Sequence, residues 1–239
     1  MPIASDGDER NFCSTCSFAA ACLPGGYDKT ALRELHVLIE HVGPYHAGEH
    51  LFRDGDPFNA IAAVRSGSLK TYVVDLEGRE QVLGFFLPGE VIGLNGISRA
   101  RYPCNAIALE DVMLCRFSFP KIATLATRVP DLQRQLFRLL SEDIGKATAL
   151  TGDLSAVERF AAFLILLARR YAARGFSATR LRLSMSRTDI ANYLRLTPAT
   201  VSRLLRQFQN DGLVSVAGRD IELQNRARVE ALARGALHD

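Results

Sequence analysis

Nowhere in the 239 residues is there an apolar run approaching the roughly 20 residues that a membrane span needs. The first eleven residues, Met1 to Asn11, are polar and acidic, so the basic start of a secretory signal is missing too. Together these absences predict a cytoplasmic protein. Enzyme signatures are also lacking. There is no P-loop, G-x-G-x-x-G, G-x-S-x-G or H-E-x-x-H, and no pair of carboxylates at a spacing that acid-base catalysis would use, which predicts a non-enzyme. Lysine disappears altogether from Leu154 onward.

Cysteine is scarce, and the five present do not make a disulfide framework: the number is odd and the expected compartment is reducing. Three of them, Cys13, Cys16 and Cys22, fall in one short segment spaced C-x2-C-x5-C. That spacing gathers soft thiolate ligands for a single metal centre at little cost in loop closure. A fourth thiolate must come from Cys104 or Cys115.

The net charge of +3 is the sum of two unlike parts. From Leu154 onward there are fourteen arginines and seven carboxylates, a net of +7, which leaves −4 on the first 153 residues. A basic C-terminal part joined to an acidic N-terminal part has the electrostatic footprint of a nucleic-acid-binding domain attached to something else. A solvated basic surface would carry the same charge, so the motifs must decide.

Along the chain, a short helix is expected around Lys29 to His41. Between Gly48 and Phe119 short apolar runs (Ala60 to Val64, Leu69 to Val74, Gln81 to Phe86) alternate with Gly-bearing turns such as Ser66-Gly67-Ser68, Glu77-Gly78 and Pro88-Gly89, the signature of a small all-β barrel or roll. From Pro130 a helix follows, with Leu132, Leu136, Leu139, Leu140, Ile144, Ala147 and Leu150 at three- and four-residue steps. A stripe of this kind packs on its own domain or on a second copy. A helix-turn-helix reading paired half-sites favours the second copy, with the seam on Leu132, Leu136, Phe137, Leu140, Ile144 and Ala147.

The C-terminal part opens with a capping box, Ser155 and Glu158, ahead of the apolar run Phe160 to Leu167, and Gly175 ends that helix. A short strand over Arg180 to Ser184 leads to Ser186, which caps a helix from Arg187 to Leu194. A tight turn over Arg195 and Leu196 then brings Thr197 to the N-cap and Pro198 to the first position of a second helix running to about Gln209. Val201, Leu204, Leu205 and Phe208 form its inner face. Thr197, Ala199, Thr200, Ser202, Arg203 and Arg206 are the candidate DNA contacts, with Ser202 and Arg203 placed for base edges and Arg206 for phosphate.

With these motifs in hand the chain resembles the Crp-Fnr family of transcription regulators, and within it the oxygen-sensing fumarate-and-nitrate-reduction type, over nearly its whole length. The resemblance rests on Cys13-x2-Cys16-x5-Cys22-Leu-Pro, Leu83-Gly-Phe-Phe-Leu-Pro-Gly-Glu-Val-Ile-Gly93, Ala108-Leu-Glu-Asp-Val-Met-Leu-Cys115, Ala161-Ala-Phe163 and Leu196-Thr-Pro-Ala-Thr-Val-Ser-Arg-Leu-Leu205. It implies an α+β fold: a double-stranded β-helix like that of cyclic-nucleotide-binding domains, a long dimerisation helix, and a winged helix-turn-helix. The implied division is a cysteine-rich arm over residues 1–28, the roll over 29–127, the helix over 128–153 and the DNA-binding domain over 154–239. A [4Fe-4S] cluster on Cys13, Cys16, Cys22 and Cys115 is implied as well, together with a homodimer on a palindromic operator and a contact to RNA polymerase through the turn Asp75 to Arg79.

Several positions depart from the family pattern. Tyr102-Pro-Cys-Asn-Ala106 replaces the Arg-bearing run that grips a cyclic phosphate, and Leu94 stands where an acidic residue would meet the ribose, so no cyclic nucleotide is expected. In the recognition helix Ala199 replaces a glutamate, which removes an acceptor for a cytosine amino group. Ala147 occupies a seam position that can be acidic in relatives, which predicts a stronger dimer. Two other readings remain: a zinc-stabilised regulator on the same four cysteines, and a haem-binding regulator using His36, His41, His46, His50 or Pro2.

Overall fold

The computed structural model describes residues 16, 22–23, 34–148 and 153–235, with the side chains of 146–148 excepted. Cys13, Pro2, Leu150 and the first part of the expected 29–41 helix lie outside the described residues, as does the side chain of Ala147.

Where that first helix was expected to end, only residues 34–36 are helical and strand β1 (Ile39–Tyr45) has already begun. The run Val37-Leu-Ile-Glu-His-Val42 is rich in β-branched residues, and pairing of β1 with β8 (Val112–Ser118) at the edge of a sheet takes the backbone that a helix would have used. His41 is therefore a strand residue.

Eight strands build the roll as two four-stranded antiparallel sheets. One has the order β1-β8-β3-β6, with β3 at Ala60–Ser66 and β6 at Val91–Ile92. The other runs β2-β7-β4-β5, at His50–Phe52, Asn105–Ala108, Leu69–Val74 and Glu80–Phe86. The Gly-bearing turns expected from the sequence sit between them. At Gly67, φ is +76° and a Cβ would run into the Asp111 carbonyl, so the β3–β4 turn requires glycine twice over.

Strand β3 is buried on both faces. Ala62 and Val64 join Phe52, Leu69, Cys104 and Leu114 inside the roll, while Ile61 and Ala63 face the other way, toward Cys22, Leu35, Phe117 and two helices. Those helices are α1 (Phe119–Ala126), which the sequence pattern did not reveal, and α2 (Pro130–Thr148). Leu132 and Leu139 of α2 are buried in this second cluster, whereas Phe137 (62% exposed) and Ile144 (68% exposed) are not. Leu132 was assigned to a seam between two copies. With none of its surface accessible, it is committed to the core of its own chain.

The C-terminal half is built around α3 (Ala156–Ala172), which buries Phe160 through Ile165 along with Leu167 and Ala168. Its capping box is present as expected: Ser155 Oγ accepts from the Glu158 amide, and the Glu158 carboxylate accepts from the Ser155 amide. Strand β9 (Arg180–Arg182) joins the hairpin β10 (Val214–Ala217) and β11 (Asp220–Leu223) in the order β10-β11-β9, the wing beside helices α4 (Arg187–Tyr193) and α5 (Pro198–Asn210). A last helix, α6 (Arg226–Ala233), closes the core with Val229 and Ala233. Among the described residues no helix is long and apolar enough to cross a membrane.

The two halves share one core. Val82, Phe85 and Leu87 of the roll belong to the same apolar cluster as α3, α4 and α5, and the Phe85 ring lies 5.3 Å from that of Tyr193 and 6.3 Å from that of Phe163. Polar clasps flank it. Lys70 donates to Asp189 at 2.7 Å and to Glu80 at 2.9 Å, and Asn192 bonds the backbone of β5 through both ends of its amide.

Candidate thiol centre and nucleic-acid interface

Alternation along β8 decides where its cysteine goes. Val112 and Leu114 point into the roll, so Cys115 and Phe117 point outward into the cluster that also buries Cys22. Cys115 is register partner to His41 on one side and Ala63 on the other, and its Sγ lies 3.7 Å from His41 Nδ1. Burial pushes the Cys115 thiol up to about 11; Arg65 opposes that rise and nearby Cys16 adds to it. The segment bearing Cys22 is pinned to α2, because Gln135 Nε2 donates to the Cys22 carbonyl at 2.8 Å.

Cys104 stands elsewhere. It lies just ahead of β7, fully buried on the inner side of the roll, and its sulfur accepts from Asn95 Nδ2 at 3.4 Å. Burial raises this thiol as well, with the Asn95 bond acting against the rise. Leu94, the chain neighbour of Asn95, is buried and offers no charge.

Neutral thiols in apolar surroundings are poor ligands until a cation displaces their protons, and soft metals do this. Among the described residues no group of three or more His, Cys, Asp or Glu side chains is close enough to hold a metal ion. Cys16, Cys22 and Cys115 are three of the four assigned ligands; Cys13 lies outside the described residues. The histidines are dispersed. His46 pairs with Asp111 at 3.1 Å, His50 bonds the Tyr72 hydroxyl at 2.9 Å, and His41 borders the Cys115 thiol. The pKa of His41 is lowered by burial, then by Arg65 and His36, which keeps its ring neutral near pH 7.

The helix-turn-helix follows from local chemistry. Ser186 and Asp189 form a reciprocal capping box on α4, Arg195 takes a left-handed φ of +54° in the turn, and Thr197 Oγ1 caps α5 by accepting from the Thr200 amide at 3.1 Å. The Thr197 and Thr200 hydroxyls also bond each other at 2.9 Å, so part of their hydrogen-bonding capacity is spent holding the helix start. Val201, Leu204, Leu205 and Phe208 are buried; Ala199, Ser202, Arg203 and Arg206 are exposed together on the outer face. Asp189 proves to do more than cap. Its pKa is lowered overall: burial alone would raise it, but the bonds from Lys70 and Ser186 prevail.

The turn from Asp75 to Arg79 is exposed and hydrogen-bonded within itself. The Asp75 carboxylate accepts from the amides of Glu77 and Arg79 and from the Arg79 side chain at 2.7 Å, and these bonds present Leu76 fully to solvent. Sequence reasoning missed the clasps between the halves, Glu90 with Arg170 and Arg174, and Lys70 with Asp189. Residues so far apart in the chain carry no local pattern that would pair them.

Two family models match the chain: the cyclic nucleotide-binding domain over residues 43–128 and the Crp-like helix-turn-helix domain over residues 158–232. The transcriptional activator protein anr of Pseudomonas aeruginosa is 42% identical over 228 residues, spanning 94% of this chain and 93% of its own. The fumarate and nitrate reduction regulatory protein of Salmonella typhi is 39% identical over 224 residues, 92% of this chain and 90% of its own. Among solved structures, FixK2 from Bradyrhizobium japonicum superimposes with a TM-score of 0.73 at 30% identity, over 81% of this chain and 96% of that one. A β-roll, a long helix and a helix-turn-helix in this order, matched by relatives along nearly the full length, identify the chain as a member of the Crp/FNR family of DNA-binding transcription regulators and not an enzyme.

Proposed function

We propose that this regulator responds to oxygen in the cytoplasm through a [4Fe-4S] cluster and, when oxygen is low, binds a palindromic operator as a homodimer. The observation that carries the reading is that buried Cys22 and half-buried Cys115 meet at one apolar cluster, which also contains Leu132 and Leu139 of α2. Cys13, Cys16, Cys22 and Cys115 would hold the cluster, which supplies the reactivity toward oxygen. Thiolates at Cys22 and Cys115 tie the N-terminal segment to β8, and Gln135 ties it to α2. With the segment held, α2 is braced against the roll and presents Leu136, Phe137, Leu140 and Ile144 to a second copy; Ala147, assigned to the same seam, has its side chain outside the described residues. Leu132 no longer belongs to that seam.

Pairing α2 with its copy sets two α5 helices about one DNA turn apart, with Ser202 and Arg203 at base edges and Arg206 at phosphate, while Thr197, Ala199 and Thr200 line the approach. The Asp75 to Arg79 turn is the proposed contact for RNA polymerase. Leu94 and Cys104 leave the roll without the charges that a cyclic nucleotide would need.

Protein purified without oxygen should contain iron and sulfide and absorb visible light, and both should disappear in air. Colourless protein with stoichiometric zinc would replace the cluster with a structural metal. Cys115→Ser should abolish stable cluster binding and Cys104→Ser should leave it nearly intact. The reverse result would move the fourth ligand into the roll.

A further inference from the structure

Helix α4, the first of the two that make up the helix-turn-helix, is bonded to the roll at both of its ends. Near its start Asp189 accepts from Lys70 Nζ of β4 at 2.7 Å, and the two side chains are 15% and 12% exposed. Near its end Asn192 Oδ1 accepts from the Val82 amide at 2.6 Å, and Asn192 Nδ2 donates to the Glu80 carbonyl at 2.5 Å. Strand β5 lies at the edge of its sheet, so the Asn192 amide sits where a further strand would pair.

These bonds differ in kind from the apolar contact beside them. Packing of Phe85 on Tyr193 and Phe163 holds the halves together but is non-directional, whereas a short hydrogen bond fixes both distance and angle. Asp189 and Asn192 stand one helical turn apart and are held by neighbouring strands, so they set the direction of α4 as well as its position. Asp189 also accepts from the Ser186 amide at 3.1 Å and from the Ser186 hydroxyl at 2.6 Å, which ties Lys70 through it to the start of the helix. Glu90, with Arg170 and Arg174, anchors the end of α3. One anchor alone would leave the DNA-binding half free to swing about it.

We infer that Lys70 and Asn192 are positioning residues that set which spacing between half-sites the protein accepts. The inference rests on the homodimer proposed above. Pairing of α2 fixes one roll against the other, and Lys70 and Asn192 fix each helix-turn-helix against its own roll. The recognition helix follows α4, because Ile190 and Leu194 share a buried cluster with Val201 and Leu204 of α5. A base pair added between half-sites moves one of them by about 3.4 Å along the duplex and turns it by about 35°. Helices bonded to their rolls cannot follow that change, and helices released from them can.

The test compares the full-length parent, purified without oxygen, with three variants. Lys70→Glu sets like charges against Asp189 and Glu80, Asn192→Ala removes both bonds to β5, and Lys70→Arg keeps a cation for Asp189. Fluorescence anisotropy measures binding to a palindromic duplex that the parent selects from random sequences, and to the same duplex with one base pair added or removed between half-sites. The parent should bind the altered spacings at least about tenfold more weakly. That ratio should fall to about threefold or less in Lys70→Glu and Asn192→Ala and stay parental in Lys70→Arg. A variant that merely folded less well would bind every duplex less well and leave the ratio alone. Discrimination against a changed base pair inside a half-site should be parental throughout, since α5 is untouched. Ratios within about twofold of the parent's in both Lys70→Glu and Asn192→Ala would overturn the inference, as would a dimeric parent indifferent to spacing. If Lys70→Glu fails to fold, Asn192→Ala decides alone. Sedimentation separates the two readings: a monomeric parent overturns the homodimer and this inference with it, whereas a dimeric parent with unaltered ratios in the variants overturns this inference alone.

Discussion

Helices α2 and α3 follow each other in the chain and carry similar apolar periodicity, but they end up in different circumstances. Helix α3 finds all its partners at home: Phe160, Ala161, Ala162, Leu164, Ile165 and Ala168 have none of their surface accessible, and α4, α5, α6 and the roll enclose them. Helix α2 buries Leu132 and Leu139 against the roll and leaves Phe137 and Ile144 in solvent. The DNA-binding half closes its core within the chain, with Val82, Phe85 and Leu87 of the roll completing it, while the sensor half ends in a helix with apolar surface left over. Folding and assembly are thus assigned to different helices.

The largest effect should come from α3. Phe160→Ala removes a ring that stacks edge-on against Phe208 at 5.3 Å and should cost about 3–5 kcal/mol, read as a lower denaturation midpoint that is independent of protein concentration. A midpoint that instead varied with concentration would show that this half also depends on a second copy. Next come the recognition residues, which should change DNA binding without changing assembly. Arg203→Ala should cost about 1–3 kcal/mol per half-site and flatten the preference at one G·C pair; Arg206→Ala should weaken all sequences alike and lower the salt slope by about 1 per subunit. Binding across single-base operator variants at several salt concentrations separates the two, and unaltered base preference in Arg203→Ala would remove that residue from the readout.

For α2 the expectation is inverted. Ile144→Glu should leave the fold within about 0.5 kcal/mol of the parent, because the site is exposed in a single chain. It should nevertheless yield monomers in sedimentation and weaken operator binding by at least about tenfold, or ~1.4 kcal/mol. An unchanged dimer would take α2 out of the interface and erase the contrast between the helices. The smallest change concerns the start of α3. Ser155→Ala removes the capping bond to Glu158 and should cost about 1 kcal/mol in thermal or denaturant unfolding, with the dimer unaffected.

The DNA-binding helices could be located in the sequence because their signals are local. Ser155 with Glu158, Ser186 with Asp189, and Thr197 with Pro198 each sit within one helical turn, and each cap is present. What escaped depends on residues distant in the chain. Strand β1 looked like part of a helix because its partner, β8, lies far downstream, and α1 went unnoticed because Pro120 reads as a break when it is in fact at the helix start. The apolar stripe of α2 was legible, yet periodicity alone cannot say which of its leucines face the roll, and Leu132 proved to be one that does. Of the two cysteines beyond the N-terminal group, strand parity puts Cys115 on the same side of β8 as Phe117, while Cys104, just ahead of β7, joins the interior. The clasps at Glu90 and Lys70 had no sequence signal at all.

Strand β3 has a consequence for how the roll tolerates change. Its core run, Ala60-Ile-Ala-Ala-Val64, is a wall one residue thick with an apolar cluster on either side, and three of its five residues are alanines. Ala63 is register partner to Cys115 on one side and to Val91 on the other; Ala62 faces the cluster that holds Cys104. A methyl group added at Ala63 would therefore spend its volume on the thiol side, and one added at Ala62 would spend it in the roll, although the two positions are adjacent in the chain. Paired Ala62→Val and Ala63→Val substitutions thus form a built-in caliper that measures how much slack each cluster has.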